Sequence, residues 1–168
     1  MLTVLTQKIN TFSQEIYDKI VDNIEFSTVT CTCGHKGCLK KHGYYKRSLR
    51  FKSEKYSVLI LRVKCSQCGR THAILLDLMV PYSQIPLDDQ VSIIKAHELG
   101  GDIMDVINEN FLIDPSEVYR IVRNYIKHWK QRLISASITL TESITKDCFR
   151  TYSMQFMQIR SRKGCLIY

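Results

Sequence analysis

The sequence predicts an α+β fold, with a small β ribbon in the first half and an α-helical bundle in the second. Two cysteine clusters, at 31–38 and 65–68, flank residues rich in aromatic and β-branched types, which predict strands. Beyond a connector at 80–86, apolar residues recur at helical spacing. We therefore divide the chain into an N-terminal amphipathic helix in 1–27, a ribbon in 28–80, a helical bundle in 81–134 and a partly helical segment in 135–168.

The first two segments have simple patterns. In residues 11–26, apolar residues recur at helical spacing on one face, with charged and polar residues on the other. This pattern predicts an amphipathic helix that packs across the ribbon. Strands are predicted at 44–51 and 56–64, separated by a polar break, and at 71–76. The hairpin would return the second cysteine cluster to the first.

The cysteines predict a zinc site, because two close pairs of thiolates can complete a tetrahedron around Zn²⁺. The candidate ligands are Cys31, Cys33, Cys38, Cys65 and Cys68. Cys65 and Cys68 form one pair, and the first cluster offers three thiols for two places, with His35 and His42 also within reach. The Cys-x-Cys-Gly spacing favours Cys31 with Cys33, while Cys33 with Cys38 would make a wider pair. His42 and His72 are expected to form hydrogen bonds rather than to bind the metal.

This site is expected to be structural, so that the β part is a zinc ribbon. A catalytic zinc would need an open coordination position beside a general base, and the cysteine-rich set has few acids nearby. The metal would replace a hydrophobic core too small to be stable alone.

Three helices are predicted in 87–133, at 87–99, at about 102–108 and at 115–133, and they resemble a helix-turn-helix unit. Asp114 can cap the third helix, Pro115 suits its first turn and Glu117 completes a capping box. One face of this helix is apolar and includes Trp129. A further helix is expected at about 141–157.

Net charge is +8 and is unevenly distributed, since residues 31–72 carry +10, residues 73–114 carry −7 and residues 115–168 carry +7. Two basic modules suggest a surface that binds a polyanion, most simply double-stranded DNA. The predicted DNA contacts are Arg120, Arg123, Lys127 and Lys130 on the third helix and Lys46, Arg47 and Arg50 in the ribbon. A basic face that is merely solvated would have the same pattern, and aromatic residues in a small ribbon are as often packing as stacking platforms.

Several partners and locations are expected or excluded. No apolar run is long enough to cross a bilayer, and the first residues lack the pattern of a signal peptide. We expect a reducing cytoplasm, in which cysteines are metal ligands or buried thiols rather than disulfides. The apolar end at 165–168 is a candidate surface for a protein partner or a homodimer.

The motifs also resemble a known family. The run from Cys31 to Arg47, the run from Arg62 to Ala73 and the Val-Pro-Tyr-Ser-Gln-Ile-Pro sequence at 80–86 are similar to the DUF6431 proteins of Firmicutes. These in turn are similar to the N-terminal zinc-ribbon and helix-turn-helix portions of insertion-sequence transposases. The resemblance covers roughly residues 28–133 and implies mobile-element ancestry and DNA binding, without an activity.

These observations predict a non-catalytic protein with a structural zinc that binds nucleic acid. The leading alternative is a protein-interaction module, such as a mobile-element-encoded inhibitor of a nucleic-acid-handling protein, which would suit the acidic central segment and the apolar tail. A third interpretation is a nuclease or transposase fragment. Two-metal chemistry of the three-carboxylate type needs acids at the ends of several sheet strands, whereas the acids at 73–114 fall on predicted helices and turns.

Overall fold

The computed structural model describes residues 1–52, 54–102, 113–160 and 163–168. Within these ranges the chain has mixed strands and helices, as predicted. The strands are β1 (Leu2–Val4), β2 (Leu39–Phe51), β3 (Glu54–Cys65), β4 (Thr71–Leu76) and β5 (Cys165–Ile167). The helices are α1 (Gln14–Asp22), α2 (Leu87–Glu98), α3 (Pro115–Tyr125), α4 (Gln131–Ser135) and α5 (Ile144–Tyr152).

The strands form a sheet in the order β2-β3-β4-β1-β5. β2 and β3 are an antiparallel hairpin, longer than predicted, whose register runs from Leu39↔Cys65 to Phe51↔Glu54 with a bulge between Lys41 and Gly43. β4 then runs antiparallel to β3. Because Leu39 pairs with Cys65, the hairpin returns the second cysteine cluster to the first.

Two short strands that the sequence analysis did not predict extend this sheet. β1 lies parallel to β4 on one side and parallel to β5 on the other, with Leu2 opposite Ile74 and Cys165. The apolar end of the chain, predicted as a partner surface, therefore contributes a strand to the sheet, and only Tyr168 in this segment is largely exposed.

Helix α1 is shorter than the predicted range, beginning after Ser13, whose hydroxyl accepts a hydrogen bond from the Ile16 amide. It packs against the sheet, and its Tyr17 side chain bridges β3 and β4 by hydrogen bonds. The β3–β4 pairing spans Arg62↔Ala73 to Lys64↔Thr71. Just beyond it, the buried Tyr17 hydroxyl accepts from the Leu61 amide and donates to the Ile74 carbonyl, each at 2.9 Å.

The apolar side chains form two clusters. The first lies between the sheet and α1, and the second joins the helices of the second half with Val80 and Ile85. Trp129 is fully buried in the second cluster, where its ring packs edge-on against Phe156 and its indole N–H donates to the Gln158 carbonyl. The sheet thus has a core of its own in addition to any metal.

The predicted helices at 87–99 and 115–133 are present with small differences. α2 ends at Glu98, and Leu99, the last residue of the predicted range, is 87% exposed. α3 has the predicted capping box at Asp114 and Glu117, and it continues through a π-helical turn, Ile126–Lys130, into α4. The helix predicted at about 102–108 lies outside the described residues apart from Asp102, so the helix-turn-helix order remains a prediction.

The predicted helix at about 141–157 forms only at Ile144–Tyr152. It ends at Ser153, whose φ of 53° is left-handed, and residues 154–158 continue as a buried segment without regular structure. None of the described helices is long and apolar enough to span a bilayer.

Candidate metal centre and basic surfaces

Four thiols converge where the two cysteine clusters meet. The sulfur atoms of Cys31, Cys33, Cys65 and Cys68 all lie within 4.8 Å of one another, with 3.9 Å between Cys31 and Cys68 and 3.8 Å between Cys33 and Cys65. Four sulfurs bound to a tetrahedral zinc at about 2.3 Å would lie about 3.8 Å apart. The donor set and its spacing therefore fit Zn²⁺.

Tight turns hold each pair in place. In the first cluster the Cys31 amide donates to the His35 carbonyl and the Gly34 amide to the Cys31 carbonyl, each at 2.8 Å. In the second, the amides of Gln67 and Cys68 point at the Cys65 sulfur from 3.4 Å. Gly34 has φ of 92° and Gly69 has φ of 69°, which explains the glycine after each pair.

Cys38 is the thiol of the first cluster that lies outside the four. It is buried, lies 3.3 Å from the Cys65 sulfur and donates to the His35 carbonyl at 3.2 Å. The exposed His35 ring is 3.5 Å from the Cys33 sulfur, and His42 is exposed in the segment of the β2 bulge. The geometry thus favours Cys31 with Cys33 among the alternatives that the spacing left open.

The electrostatics differ between the thiols. The backbone N–H of Cys68 lowers the pKa of Cys65 to about 6, and the backbone N–H of His35 lowers the pKa of Cys33. Burial raises the pKa of Cys31 to about 12. A divalent cation at the centre would hold all four as thiolates, so it would overcome the cost of ionising Cys31.

His72 supports this centre from β4. Its Nε2 lies 3.3 Å from the Cys31 sulfur and its Nδ1 lies 3.0 Å from the Met1 nitrogen. Burial lowers the pKa of His72 to about 4, so the imidazole is neutral and can donate a hydrogen bond to the thiolate. Its contacts agree with the expected hydrogen-bonding role.

The predicted contacts on α3 lie on the solvent side of the helix. Arg120, Arg123 and Lys127 are exposed, while Val118, Ile121, Val122 and Tyr125 face the second apolar cluster. Two cations have nearby acids, since Lys130 pairs with Glu98 at 3.0 Å and Arg120 lies 3.7 Å from Glu117. We call Arg120, Arg123 and Lys127 the α3 ridge.

The predicted contacts in the ribbon have different environments. Arg47 is largely buried and donates to the carbonyls of Val80 and Ser83 at 2.6 and 2.7 Å. Arg50 is ion-paired with Glu117. Because their guanidinium groups are engaged within the protein, they are poor candidates for DNA contacts, whereas Lys46 is exposed.

The structure also has a cleft beside the metal centre that the sequence analysis did not predict. Its volume is about 1080 Å³, and its lining includes Arg62, Arg70 and His72. Strand alternation places Arg62 on one face of β3. The other walls come from residues 81–84 and from Lys163, whose proximity depends on the tertiary fold and has no local signal.

Residues 30–106 match the family described as Domain of unknown function (DUF6431). The matched region contains both cysteine pairs, the β2–β3 hairpin, β4 and α2, and it ends before α3. The resemblance found in the motifs is thus confirmed for this part of the chain. No curated protein and no solved structure matches the sequence.

Proposed function

We propose that the protein is a non-catalytic, cytoplasmic nucleic-acid-binding protein of mobile-element ancestry that binds double-stranded DNA. The observation that carries this proposal is the α3 ridge, a row of exposed cations on a helix whose other face is buried. A capped helix with a fixed apolar face presents its cations in one orientation. That is what insertion into a major groove requires.

Zinc has a structural role in this proposal. Four thiols would fill the tetrahedron and leave no open position for substrate or water. Bound zinc would cross-link the two cysteine pairs, while Cys38 and His72 support them from outside the tetrahedron. The metal thus fixes the end of the hairpin and takes no part in recognition.

Recognition would be shared along α3. Arg120 and Arg123 lie within α3, near the exposed Tyr119, where base edges or phosphates would be within reach. Lys127 lies in the π-helical turn that follows α3 and would bind phosphate. Lys130 contributes less, since it must first break its pair with Glu98, and Lys46 is the remaining candidate in the ribbon.

The test compares the wild type with a triple variant, Arg120→Ala, Arg123→Ala and Lys127→Ala, in fluorescence anisotropy titrations on a random-sequence duplex. Binding should weaken with rising salt, and the variant should lose at least about tenfold in affinity with a shallower salt dependence, because about 0.9 counterion is released per phosphate neutralised. The matched control, Lys19→Ala, Lys55→Ala and Lys95→Ala, removes the same charge from exposed positions elsewhere. Absence of duplex binding by the wild type at low salt would refute the proposal.

A second candidate function is a protein-interaction module, which would include the inhibitor of a nucleic-acid-handling protein. Tyr119, Ile126 and Ile134 are exposed apolar side chains along the same helical stretch as the ridge, and they suit a protein surface. If this face binds a second copy, sedimentation velocity should show a concentration-dependent dimer that Ile126→Ser with Ile134→Ser abolishes. An intact duplex after incubation with Mg²⁺ or Mn²⁺ would argue against the nuclease interpretation.

A further inference from the structure

The cleft beside the metal centre is formed partly by residues of the sheet. Its floor includes Tyr45, Arg62 and Ala73, of which Arg62 and Ala73 are direct neighbours in the β3–β4 register. Residues 81–84 form one wall, and Lys163 approaches from the C-terminal segment. A volume of about 1080 Å³ is enough for a ligand larger than a single ion.

The charge of this cleft has one sign. Arg47, Arg62, Arg70 and Lys163 line it, and its described lining includes no aspartate or glutamate. Arg62, Arg70 and Lys163 are exposed, and none of them forms an ion pair with another described residue. Converging cations without carboxylates create a positive potential that attracts anions.

Arg47 adds a second observation. Its guanidinium is buried in the cleft wall, where burial lowers its pKa, and it donates hydrogen bonds to the neutral carbonyls of Val80 and Ser83. Buried charges in proteins are usually paired with an opposite charge. An anion in the cleft would supply that charge from the open side.

Two tyrosines add aromatic surface to the cationic walls. Tyr82 has φ of 62° and is 57% exposed, so a bulky side chain is held in a strained backbone conformation without being buried. The guanidinium of Arg160 lies 4.6 Å from its ring centroid. Tyr45, half-buried on the floor, is the second ring.

We propose that this cleft binds a phosphorylated nucleotide with an unpaired base, the phosphate on Arg62, Arg70 and Lys163 and the base against Tyr82 or Tyr45. Cations beside an aromatic ring are the combination that recognises unpaired nucleotides. Such a nucleotide is either part of a single strand or a free nucleotide. The site is separate from the α3 ridge, so it does not depend on duplex binding.

The experiment titrates a labelled, 5′-phosphorylated single-stranded decamer without self-complementarity and competes it with a nucleoside 5′-monophosphate. Arg62→Gln with Arg70→Gln should weaken decamer binding by about tenfold or more, while duplex binding by the ridge is kept. Lys8→Gln with Lys19→Gln makes the same charge change outside the cleft lining and should remain within about twofold. Zinc content and thermal melting show that the variants are folded.

A second variant, Tyr82→Leu, tests the stacking contact and should weaken decamer binding by about fivefold or more, because the base loses an aromatic ring on which to stack. Competition by the monophosphate at concentrations similar to the decamer would assign the cleft to free nucleotides, and preference for the decamer would assign it to a single strand. Unchanged decamer binding in the Arg62/Arg70 variant would overturn the proposal. So would a wild type that binds neither probe, even if it binds duplex.

Discussion

Arg50 in the β2–β3 hairpin forms an ion pair with Glu117 in the first turn of α3. Their side chains are only 24% and 18% exposed, and Glu117 also accepts from the Asp114 amide in the capping box. One carboxylate therefore caps a helix and joins it to the sheet module. This contact positions the α3 ridge relative to the hairpin.

The first prediction concerns the strength of this pair. In a double-mutant cycle with Arg50→Gln and Glu117→Gln, urea denaturation should give a coupling free energy of about 1–2 kcal/mol, because the pair is partly shielded from water. The exposed pair of Lys41 with Asp22, 53% and 67% exposed, is the matched comparison and should give less than about 0.5 kcal/mol. Equal coupling in the two cycles would show that the Arg50 pair is no more than a surface contact.

The second prediction separates the metal ligands from the neighbouring thiol. Cys68→Ser should bind zinc much more weakly and melt at a lower temperature, because only three thiolates would remain around the ion. Cys38→Ser should keep one zinc per chain, since its sulfur lies outside the four. Mass spectrometry of the native protein gives the stoichiometry, and thermal melting with and without a chelator gives the stability.

The apolar core of the sheet limits how much of the protein should unfold when zinc is removed. Small zinc domains without metal are often unfolded, but here α1 and the strands bury an apolar cluster of their own. We expect chelation to disorder the cysteine turns first and the sheet only at higher temperature. A zinc-free Cys68→Ser protein that melts like the wild type would contradict a structural role for the metal, and loss of zinc from Cys38→Ser would contradict the ligand assignment.

Local patterns predicted much of this fold because their causes are local. The cysteine pairs are indicated by their ligand spacing, the hairpin by β-branched and aromatic runs, and the start of α3 by the capping box at Asp114 and Glu117. Each depends on residues that are close in sequence. The family match at 30–106 covers the ribbon, and its motifs were recognisable for the same reason.

Other features depend on contacts between distant residues. β1 and β5 have three residues each and pair across more than 160 positions, too short and too remote for a periodic signal. Arg47 and Arg50 belong to the same basic run as Lys46, and only the packing of residues 80–84 and α3 shows that they are engaged inside the protein. The sequence pattern of this segment could not show which of these basic side chains are available to bind DNA.

The third prediction concerns Tyr17, whose hydroxyl joins β3 to β4. Tyr17→Phe keeps the ring but removes the hydroxyl that bonds to the Leu61 amide and the Ile74 carbonyl. Both of these backbone groups are buried and would lose this hydrogen-bond partner. We expect a loss of about 1–3 kcal/mol in the free energy of unfolding, because an unsatisfied buried polar group retains its desolvation cost. Tyr56→Phe is the control, since that hydroxyl donates to Glu54 at an exposed site, and its loss should leave the free energy of unfolding nearly unchanged.

The last prediction concerns Asp77, which follows β4 and accepts hydrogen bonds from the Thr6 hydroxyl at 2.6 Å and the Leu78 amide at 3.1 Å. Burial raises the pKa of this carboxyl. Between the ordinary value of about 3.9 and the raised value, the folded protein binds more protons than the unfolded chain. The contribution of Asp77 to the free energy of unfolding therefore falls as the pH rises through this window, and it stays lower at neutral pH.

Asp77→Asn removes the charge and keeps an oxygen that can accept both hydrogen bonds. We expect it to be more stable than the wild type at pH 7, with the difference shrinking as the pH falls towards 4. Asp77→Ala loses both hydrogen bonds and should be less stable than Asp77→Asn throughout. Thermal melting from pH 4 to 8 measures all three proteins. A constant difference between Asp77→Asn and the wild type across this range would show that the carboxylate is not destabilised by burial.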